Sequence, residues 1–238
     1  MARDKLFIQT LKGNQKDRVP FWFMRQAGRY LPEYMALRKE AGSFLDLCYN
    51  SDFATEVTLQ PIRRFNMDAA ILFSDILVIP HALGQDLAFQ VGEGPVLTPV
   101  NNIEKLEALS KDNFHDHLNP VYQTVSNLSK KLPDHVALIG FAGAPWTVAT
   151  YMVGGRGSKD QAETRIMAYQ DRETFEQLIN LLVDVTSEYL IRQVDHGAEV
   201  LQIFDSWSGS LPADEFIKWC VEPMVKIVQN IRAVHPDV

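Results

Sequence analysis

Cysteine is scarce in this sequence. Cys48 and Cys220 are the only two among 238 residues, and they lie far apart. So sparse a pair argues against a disulfide-stapled fold, because isolated thiols of this kind are more often partly buried apolar groups. We therefore expect both cysteines to be unpaired and structural, in a protein of the reducing cytoplasm.

The sequence also lacks an excess of positive charge. Its formal net charge at pH 7 is −7, and its isoelectric point is near 5.4. Nucleic-acid-binding domains usually carry a basic face, so this balance argues against a nucleic-acid partner. The arginines best placed for function are close together in the sequence, which instead predicts a small acidic ligand drawn to a local cationic site.

Long apolar runs are missing as well. The longest, such as DAAILFSDILVIP at residues 68–80, are interrupted by Asp or Pro well short of the roughly 20 residues that cross a bilayer. The opening MARDKLFIQTLKGN has no extended apolar core and no small-residue cleavage site, so it predicts a first helix and not an export signal. No membrane association is expected.

Several catalytic signatures are absent. No glycine-rich phosphate loop follows the first apolar run, which disfavours a dinucleotide-binding fold, and no GxSxG elbow surrounds Ser206, which disfavours a serine hydrolase. The pair His115 and His117 has polar neighbours and no third ligand nearby, so we interpret it as solvated surface and predict no metal site. Without repeats or linkers, residues 1–238 are predicted to form a single domain.

Apolar runs of strand length alternate with amphipathic helical stretches, which is typical of a β/α protein with a parallel sheet. The four predicted strands are VPFWFM at 19–24, AAILFSDI at 69–76, VALIGFAG at 136–143 and EVLQIFDSW at 199–207. Helices are predicted over 32–41, 53–65, 171–197 and 212–234, with further helix after residue 101. Alternation on both sides of GEGP at 92–95 predicts a β-hairpin after the second strand.

Each predicted strand ends in polar or conformationally special residues. Functional side chains cluster at the carboxyl ends of the strands in a (β/α)8 TIM barrel, so we predict an α/β protein of that class. Four strands are only about half of such a barrel. A half-barrel made of these strands alone would leave an unpaired sheet edge. We therefore expect the chain to be part of a larger barrel and, in isolation, to be prone to aggregation and inactive.

Arg25 and Arg29 stand at the end of the first apolar run, in PFWFMRQAGRYLPEY. A guanidinium is a planar fork of donors that matches a carboxylate two bonds at a time. Either arginine could instead form a structural ion pair with a helix acid such as Glu33. The two together, with Gly28 allowing close backbone approach, favour binding of several carboxylates or phosphates, and Arg38 could extend the cluster.

Asp75 follows the apolar run AAILFS and precedes another, ILVIP. An acid in such a setting is either paired or functional. It could be buried against one of the arginines, or it could present a negative charge to a substrate cation or N–H group.

Tyr151 and Ser206 follow the third and fourth predicted strands. Tyr151 lies beside the glycines of MVGGRGS, although a tyrosine in this position is often only a core residue with its hydroxyl at the surface. Ser206, within FDSWSG, is interpreted as a hydrogen-bond donor.

These motifs together resemble the uroporphyrinogen decarboxylase family. The matching segments are MRQAGRYLPEY, LQPIRRF, AAILFSDIL, GFAGAPWT followed by YM, and FDSWSG, in that order. The resemblance covers nearly the whole chain, and the first motif is highly specific. It implies a TIM-barrel homodimer that uses no metal or organic cofactor and converts the four acetate side chains of uroporphyrinogen III to methyls, giving coproporphyrinogen III.

The resemblance also implies roles for individual residues. Arg25, Gln26 and Arg29, with the intervening Ala27 and Gly28, would bind substrate carboxylates, with Arg38 as a further candidate. Asp75 would meet the pyrrole N–H groups, and Tyr151 and Ser206 would contact the substrate periphery. Proton delivery is assigned either to Arg29 or to a solvent-linked donor.

Two alternatives remain open at this point. A corrinoid-dependent methyltransferase shares the barrel but needs a zinc ligand set, which Cys48 and Cys220 are too dispersed to suggest. A tetrapyrrole-binding module without catalysis would keep the arginines but have no need of Asp75. The family also continues beyond VHPDV with a histidine-bearing segment, so the sequence is expected to be its N-terminal portion.

Overall fold

The computed structural model describes residues 5–14, 17–90 and 94–238. A three-stranded parallel sheet lies at its centre, and a separate antiparallel hairpin lies at its rim. The strands in chain order are β1 (Ala69–Ile71), β2 (Leu87–Gln90), β3 (Gly94–Leu97), β4 (Ala137–Gly143) and β5 (Val200–Phe204). The parallel sheet has the order β1-β4-β5, and β2 pairs with β3.

The α-helices surround this sheet. In chain order they are α1 (Leu6–Leu11), α2 (Pro32–Ala41), α3 (Phe44–Tyr49), α4 (Ser51–Phe65), α5 (Val78–Ala82), α6 (Ile103–Glu107), α7 (Phe114–Lys131), α8 (Pro145–Gly154), α9 (Ala162–Gln170), α10 (Arg172–Asp195), α11 (Ala213–Phe216) and α12 (Glu222–Val234). A 3-10 turn at Ser208–Ser210 follows β5, and a π-helical turn at Ile217–Val221 joins α11 to α12. The helices predicted around 32–41, 53–65, 171–197 and 212–234 are all present.

Strand β4 is the centre of the sheet because all seven of its residues are buried. A strand covered on both faces needs no polar side, which explains its continuous apolar sequence. It runs parallel to β1, with Ala137 opposite Ala69, and parallel to β5, with Ile139 opposite Val200. The predicted parallel sheet is confirmed for these three strands, although β1 ends at Ile71.

The predicted first strand, VPFWFM at 19–24, is not a strand in the structure. The segment joins no sheet ladder and is held near β1 by Phe21, whose carbonyl accepts from Asp68 N at 3.0 Å and whose N–H donates to Asp68 Oδ2 at 2.9 Å. Val19 and Phe23 are 84% and 60% exposed. The prediction was wrong because an apolar strand pattern forms a strand only where a neighbour pairs with it along its length.

Asp68 is the structural anchor of this segment, a role that the sequence did not suggest. Its carboxylate is buried and accepts both terminal nitrogens of Arg18, at 2.8 and 2.6 Å, in addition to Phe21 N. The hydrogen bonds from Arg18, and after them that from Phe21, hold the pKa of Asp68 below its ordinary value.

We expect Asp68→Asn to lower the free energy of unfolding by about 1–3 kcal/mol at pH 7, the range for hydrogen bonds to a charged group. Because the pKa of Asp68 is lowered by folding, its contribution is present above the unfolded pKa and is lost as the pH falls through the folded pKa. Urea titrations at pH 7 and pH 3 measure this. The control is Glu56→Gln in the exposed pair with Arg63, expected to cost less than about 1 kcal/mol. An equal loss at both pH values for Asp68→Asn would contradict the electrostatic account.

The predicted β-hairpin is confirmed as β2 and β3, and residues 91–93 of its turn lie outside the described residues. Its base is tied to α8. Gln85 Nε2 donates to Met152 O at 3.1 Å, and Leu97 N donates to Gly155 O at 2.8 Å. Phe89 packs on Phe44 with ring centroids 4.6 Å apart. The hairpin therefore forms a fixed rim beside the loop that follows α8.

Both cysteines are unpaired and buried, as expected. Among the described residues, no helix combines the length and the apolar character that a transmembrane span requires.

Candidate active site

The polar residues that follow β1, β4 and β5 lie at one edge of the sheet, because the carboxyl ends of parallel strands point the same way. Asp75 comes after β1, and Asp205 directly follows β5. Helix α8 begins two residues after β4 and carries Tyr151 near its end. Burial is the main cause that raises the pKa of Tyr151, the charge of Asp75 raises it further, and the charge of Arg25 lowers it. Residues from distant parts of the sequence therefore lie near one another here.

Asp75 has no cationic partner among the described residues. Its Oδ1 accepts the Leu77 N–H at 2.8 Å, which fixes the carboxylate at the start of α5. Burial raises the pKa of Asp75 to about 6, and the Leu77 hydrogen bond opposes that rise. Pairing with an arginine, the structural explanation of this acid, is therefore wrong, and the Asp75 carboxylate has no charged partner among the described residues.

Arg25 and Arg29 are exposed, and neither forms an ion pair with any residue in the described part of the chain. Glu33, the partner that the ion-pair interpretation offered, is occupied by Arg64 through two hydrogen bonds of 2.6 and 2.9 Å. Burial raises the pKa values of Tyr151 and Tyr34, while the charge of Arg25 lowers the first and the charge of Arg29 lowers the second. Both guanidinium groups thus lack carboxylate partners, and Arg25 lies near Tyr151.

Gln26 lies between these arginines but points into the protein. Its Nε2 donates to Ala69 O at 2.7 Å and its Oε1 accepts Ile71 N at 3.0 Å. The side-chain amide thus pairs with β1 as a peptide group of a neighbouring strand would. Both ends of this amide are engaged by β1, and the contact of Gln26 with a substrate carboxylate stays a prediction. Its observed role is to hold the Arg25–Arg29 loop, including the half-buried Ala27 and Gly28, on the sheet.

Arg38, on α2, is partly buried and already has partners. Its Nη1 donates to Gly42 O at 3.3 Å, and its guanidinium lies over the Phe44 ring, 5.7 Å from the centroid. The cation–π contact leaves the charge of Arg38 unneutralised. Burial raises the pKa values of Tyr34 and Cys48, and the Arg38 charge lowers both. The position extends the cationic edge formed by Arg25 and Arg29.

Tyr151 and Ser206 follow β4 and β5. The Tyr151 ring packs edge-on against Trp207, with centroids 6.0 Å apart, and burial is the main cause that raises the pKa of its phenol. Ser206 is exposed between Asp205 and Trp207. Thr147 Oγ1 donates to Asp205 Oδ1 at 2.6 Å and accepts Trp207 N at 3.2 Å, which fixes both neighbours of Ser206. Burial raises the pKa of Asp205.

His117 is exposed, as predicted, although it has ring partners within the protein. Its Nε2 lies 3.2 Å from Nδ1 of His81, which is also 3.0 Å from the Tyr49 hydroxyl. Burial lowers the pKa of both histidines, so the neutral forms are favoured. His115 contacts the Tyr122 hydroxyl at 3.0 Å. Within the described ranges, no group of three or more His, Cys, Asp or Glu side chains is arranged to hold a metal ion.

The fold and this site define an α/β protein with a parallel sheet, an unpaired and partly buried carboxylate after β1, and two exposed arginines without ion-pair partners among the described residues. Comparison with known proteins identifies the family. The family model for uroporphyrinogen decarboxylase matches residues 2–238. The chain belongs to the uroporphyrinogen decarboxylase family.

Curated relatives support this membership. A uroporphyrinogen decarboxylase of Mesorhizobium japonicum is 56% identical over 238 residues, covering 100% of this chain and 69% of the relative. One of Brucella anthropi is 59% identical over 230 residues, covering 97% of this chain and 67% of the relative. The chain matches an N-terminal portion of such proteins.

A solved methyltransferase from Methanosarcina mazei has the same fold, with a TM-score of 0.75 at 18% identity. The match covers 94% of this chain and 65% of the methyltransferase, so this chain spans less than two thirds of that protein.

Proposed function

We propose that this chain supplies the carboxylate-binding and cation-stabilising part of a uroporphyrinogen decarboxylase. One observation carries the proposal: Arg25 and Arg29 have no ion-pair partner among the described residues, and the charge of Arg25 acts on Tyr151 together with that of the partly buried, unpaired Asp75. A substrate with many carboxylates around a ring of N–H groups matches this arrangement, because it brings anions to the arginines and donors to the acid.

Decarboxylation needs a group that accepts the electron pair left by the departing carbon dioxide. In the proposed mechanism, a protonated pyrrole of the substrate itself accepts that pair. With a pKa of about 6, Asp75 is about nine-tenths ionised at pH 7, so it supplies a fixed anion beside the ring as positive charge develops there. The charge needs no reorganisation, since the Leu77 N–H already holds the carboxylate in place.

The other site residues orient the substrate in this proposal. Arg25 and Arg29 bind carboxylates on one side, with Arg38 as a further cation, while Tyr151 and Ser206 contact the periphery on the other. A guanidinium keeps its proton throughout the working pH range, so we assign Arg29 to binding and proton delivery to solvent that reaches the open face.

The proposal includes a partial (β/α)8 barrel over residues 1–238. Two features support it: β5 is an edge strand, and the apolar 19–24 segment exposes Val19 and Phe23 without a strand partner among the described residues. Both are places where further barrel strands would pair. A cytoplasmic location, favoured by the two free cysteines, and a homodimer of the completed barrel remain predictions.

The function is tested by producing this chain with a second polypeptide, the C-terminal third of the Mesorhizobium japonicum relative. We expect the pair to convert uroporphyrinogen to products with fewer carboxyl groups, resolved by chromatography after oxidation, and each polypeptide alone to be inactive. Turnover by this chain alone would contradict the partial barrel. Binding of uroporphyrin by the pair with no turnover of uroporphyrinogen would favour the non-catalytic module.

A further inference from the structure

Gln161 lies outside the predicted site and combines an unusual backbone conformation with a buried side chain. It precedes α9 in the left-handed backbone region, with φ 54° and ψ 32°, and its side chain is only 2% exposed. Side chains other than glycine, asparagine and aspartate rarely adopt this conformation. The position is also the N-cap of α9, yet the Gln161 side chain caps nothing there. Local helix stability therefore does not account for the residue.

The side-chain amide of Gln161 instead bonds three residues in two elements of the active-site edge. Its Oε1 accepts both the Trp146 indole N–H and the Ser210 hydroxyl, each at 2.9 Å, and its Nε2 donates to Trp207 O at 2.8 Å. Trp146 lies in the first turn of α8, while Trp207 and Ser210 belong to the turn after β5. One buried amide thus binds the turn that carries Ser206 to the helix that carries Tyr151.

The loop 155–160, which leads into Gln161, covers the side chains of Tyr151 and Trp207. A Cβ placed on Gly157 would lie 3.5 Å from both the Tyr151 hydroxyl and the Trp207 ring, so the loop backbone passes directly over the Tyr151–Trp207 contact. The backbone N–H of Gln161 donates to Ser158 Oγ at 3.0 Å, which closes the end of the loop. Any movement of Gln161 is transmitted to Tyr151 through this loop and to Ser206 through Trp207.

We propose that Gln161 is a positioning residue of the decarboxylase site, which holds Tyr151 and Ser206 in register so that the substrate periphery meets both at once. The inference rests on the proposed function and extends it to a residue that does not touch the substrate. Misplacement of contact groups by about 1 Å can cost on the order of 100-fold in rate, so a loose clamp lowers catalysis more than binding.

The first measurement needs no activity. Amide hydrogen exchange of this chain, produced together with the second polypeptide, is compared with that of Gln161→Met in the same pair; the substitution keeps the length of the side chain but removes the amide. We expect exchange in residues 155–160 and 205–210 to be at least about tenfold faster in the variant, because three hydrogen bonds that hold these segments are lost. Unchanged exchange would overturn the clamp. Should Gln161→Met fail to fold, Ser210→Ala removes one arm and is tested alone.

The second measurement is kinetic, in the two-polypeptide enzyme. We expect Gln161→Met to lower kcat about 10–100-fold while KM changes less than threefold. The control is Gln193→Met, since the buried Gln193 amide bonds the backbone of Phe141 in β4, away from the site edge. Its loss should lower thermal stability with kcat kept within about twofold. Equal falls of kcat in the two variants would overturn the positioning role.

Gln161→Glu separates hydrogen bonding from packing. A neutral carboxylic acid can both accept from Trp146 and donate to Trp207 O, whereas a carboxylate cannot donate. We expect the rate of this variant, relative to the unaltered enzyme, to rise as the pH falls and the introduced group becomes protonated. A flat ratio across pH would contradict the proposal. If the unaltered enzyme shows no turnover, the proposed function fails; the clamp is then judged by the hydrogen-exchange comparison alone, in which faster exchange of residues 155–160 and 205–210 in Gln161→Met is the result that supports it.

Discussion

Asp75→Asn should slow decarboxylation of saturating uroporphyrinogen about 10²–10³-fold in a single turnover. Asparagine keeps the size of the side chain and an oxygen that can accept the Leu77 N–H, but it removes the negative charge. A loss of this size is typical when one preorganised electrostatic group is removed from a site that develops charge. Saturation separates the chemical step from binding.

Asp75→Glu is the matched variant, because it keeps the charge and adds one methylene. It should be faster than Asp75→Asn unless the longer side chain displaces the contacts with the pyrrole N–H groups. Turnover of the asparagine variant within a few-fold of the unaltered enzyme would mean that Asp75 only hydrogen-bonds the macrocycle.

The stability of Asp75→Asn should move in the opposite direction to its activity. Folding raises the pKa of Asp75 from 3.8 to about 6, so the ionised form is disfavoured in the folded protein and stability is lost as the pH rises through this window. Above pH 6 the variant should be more stable to urea, by at most about 3 kcal/mol for a shift of this size, and near pH 3 the difference should vanish. A destabilised variant at neutral pH would attribute its inactivity to damage and not to charge.

Arg29→Lys should weaken binding of uroporphyrinogen by about 1–3 kcal/mol, the range for hydrogen bonds to charged groups, which is about 5–150-fold. A lysine keeps the charge but cannot offer the two parallel donors that match a carboxylate. The melting temperature should hardly change, because Arg29 has no ion pair among the described residues to lose. Arg25→Lys should behave in the same way.

Arg64→Lys is the control for both arginine variants. It lies at the end of α4, exposed, and its guanidinium already binds Glu33 through two hydrogen bonds. Its replacement should leave the affinity for uroporphyrinogen unchanged. A large fall in melting temperature with unchanged affinity for Arg29→Lys would return that residue to a structural role.

The parts of the fold that the sequence predicts well are those determined by local chemistry. Pro32 begins α2 and Gly42 follows it, so both boundaries of that helix were predictable. The buried strand β4 and the hairpin of β2 and β3 follow from continuous and alternating apolar patterns. In contrast, the 19–24 segment has the composition of a strand but lacks a ladder, because pairing depends on neighbours that composition does not specify.

The residues of the candidate site also differ in how far local sequence chemistry predicts them. Arg25, Arg29 and Asp75 stood out because a charge next to an apolar run is conspicuous in a sequence. Gln26 was named only through the family resemblance and Gln161 not at all, since an uncharged amide gives no signal until the structure shows which groups it bonds. The sequence signal that could have directed attention to Gln161 is its place after the glycine-rich loop, where an unusual backbone conformation is common.

The attachment of Gln26 to β1 has a consequence for ligand binding. Arg25 and Arg29 lie on a segment held to the sheet mainly by the side chains of Gln26 and Asp68, with one backbone bond from Asp68 N to Phe21 O, so we expect it to detach as a small cooperative unit while the sheet stays folded. A polyanion that binds only the attached form has an apparent affinity equal to its intrinsic affinity multiplied by the attached fraction. Substitutions at Gln26 thus weaken binding by shifting a population, with no change in the contacts made by the bound ligand.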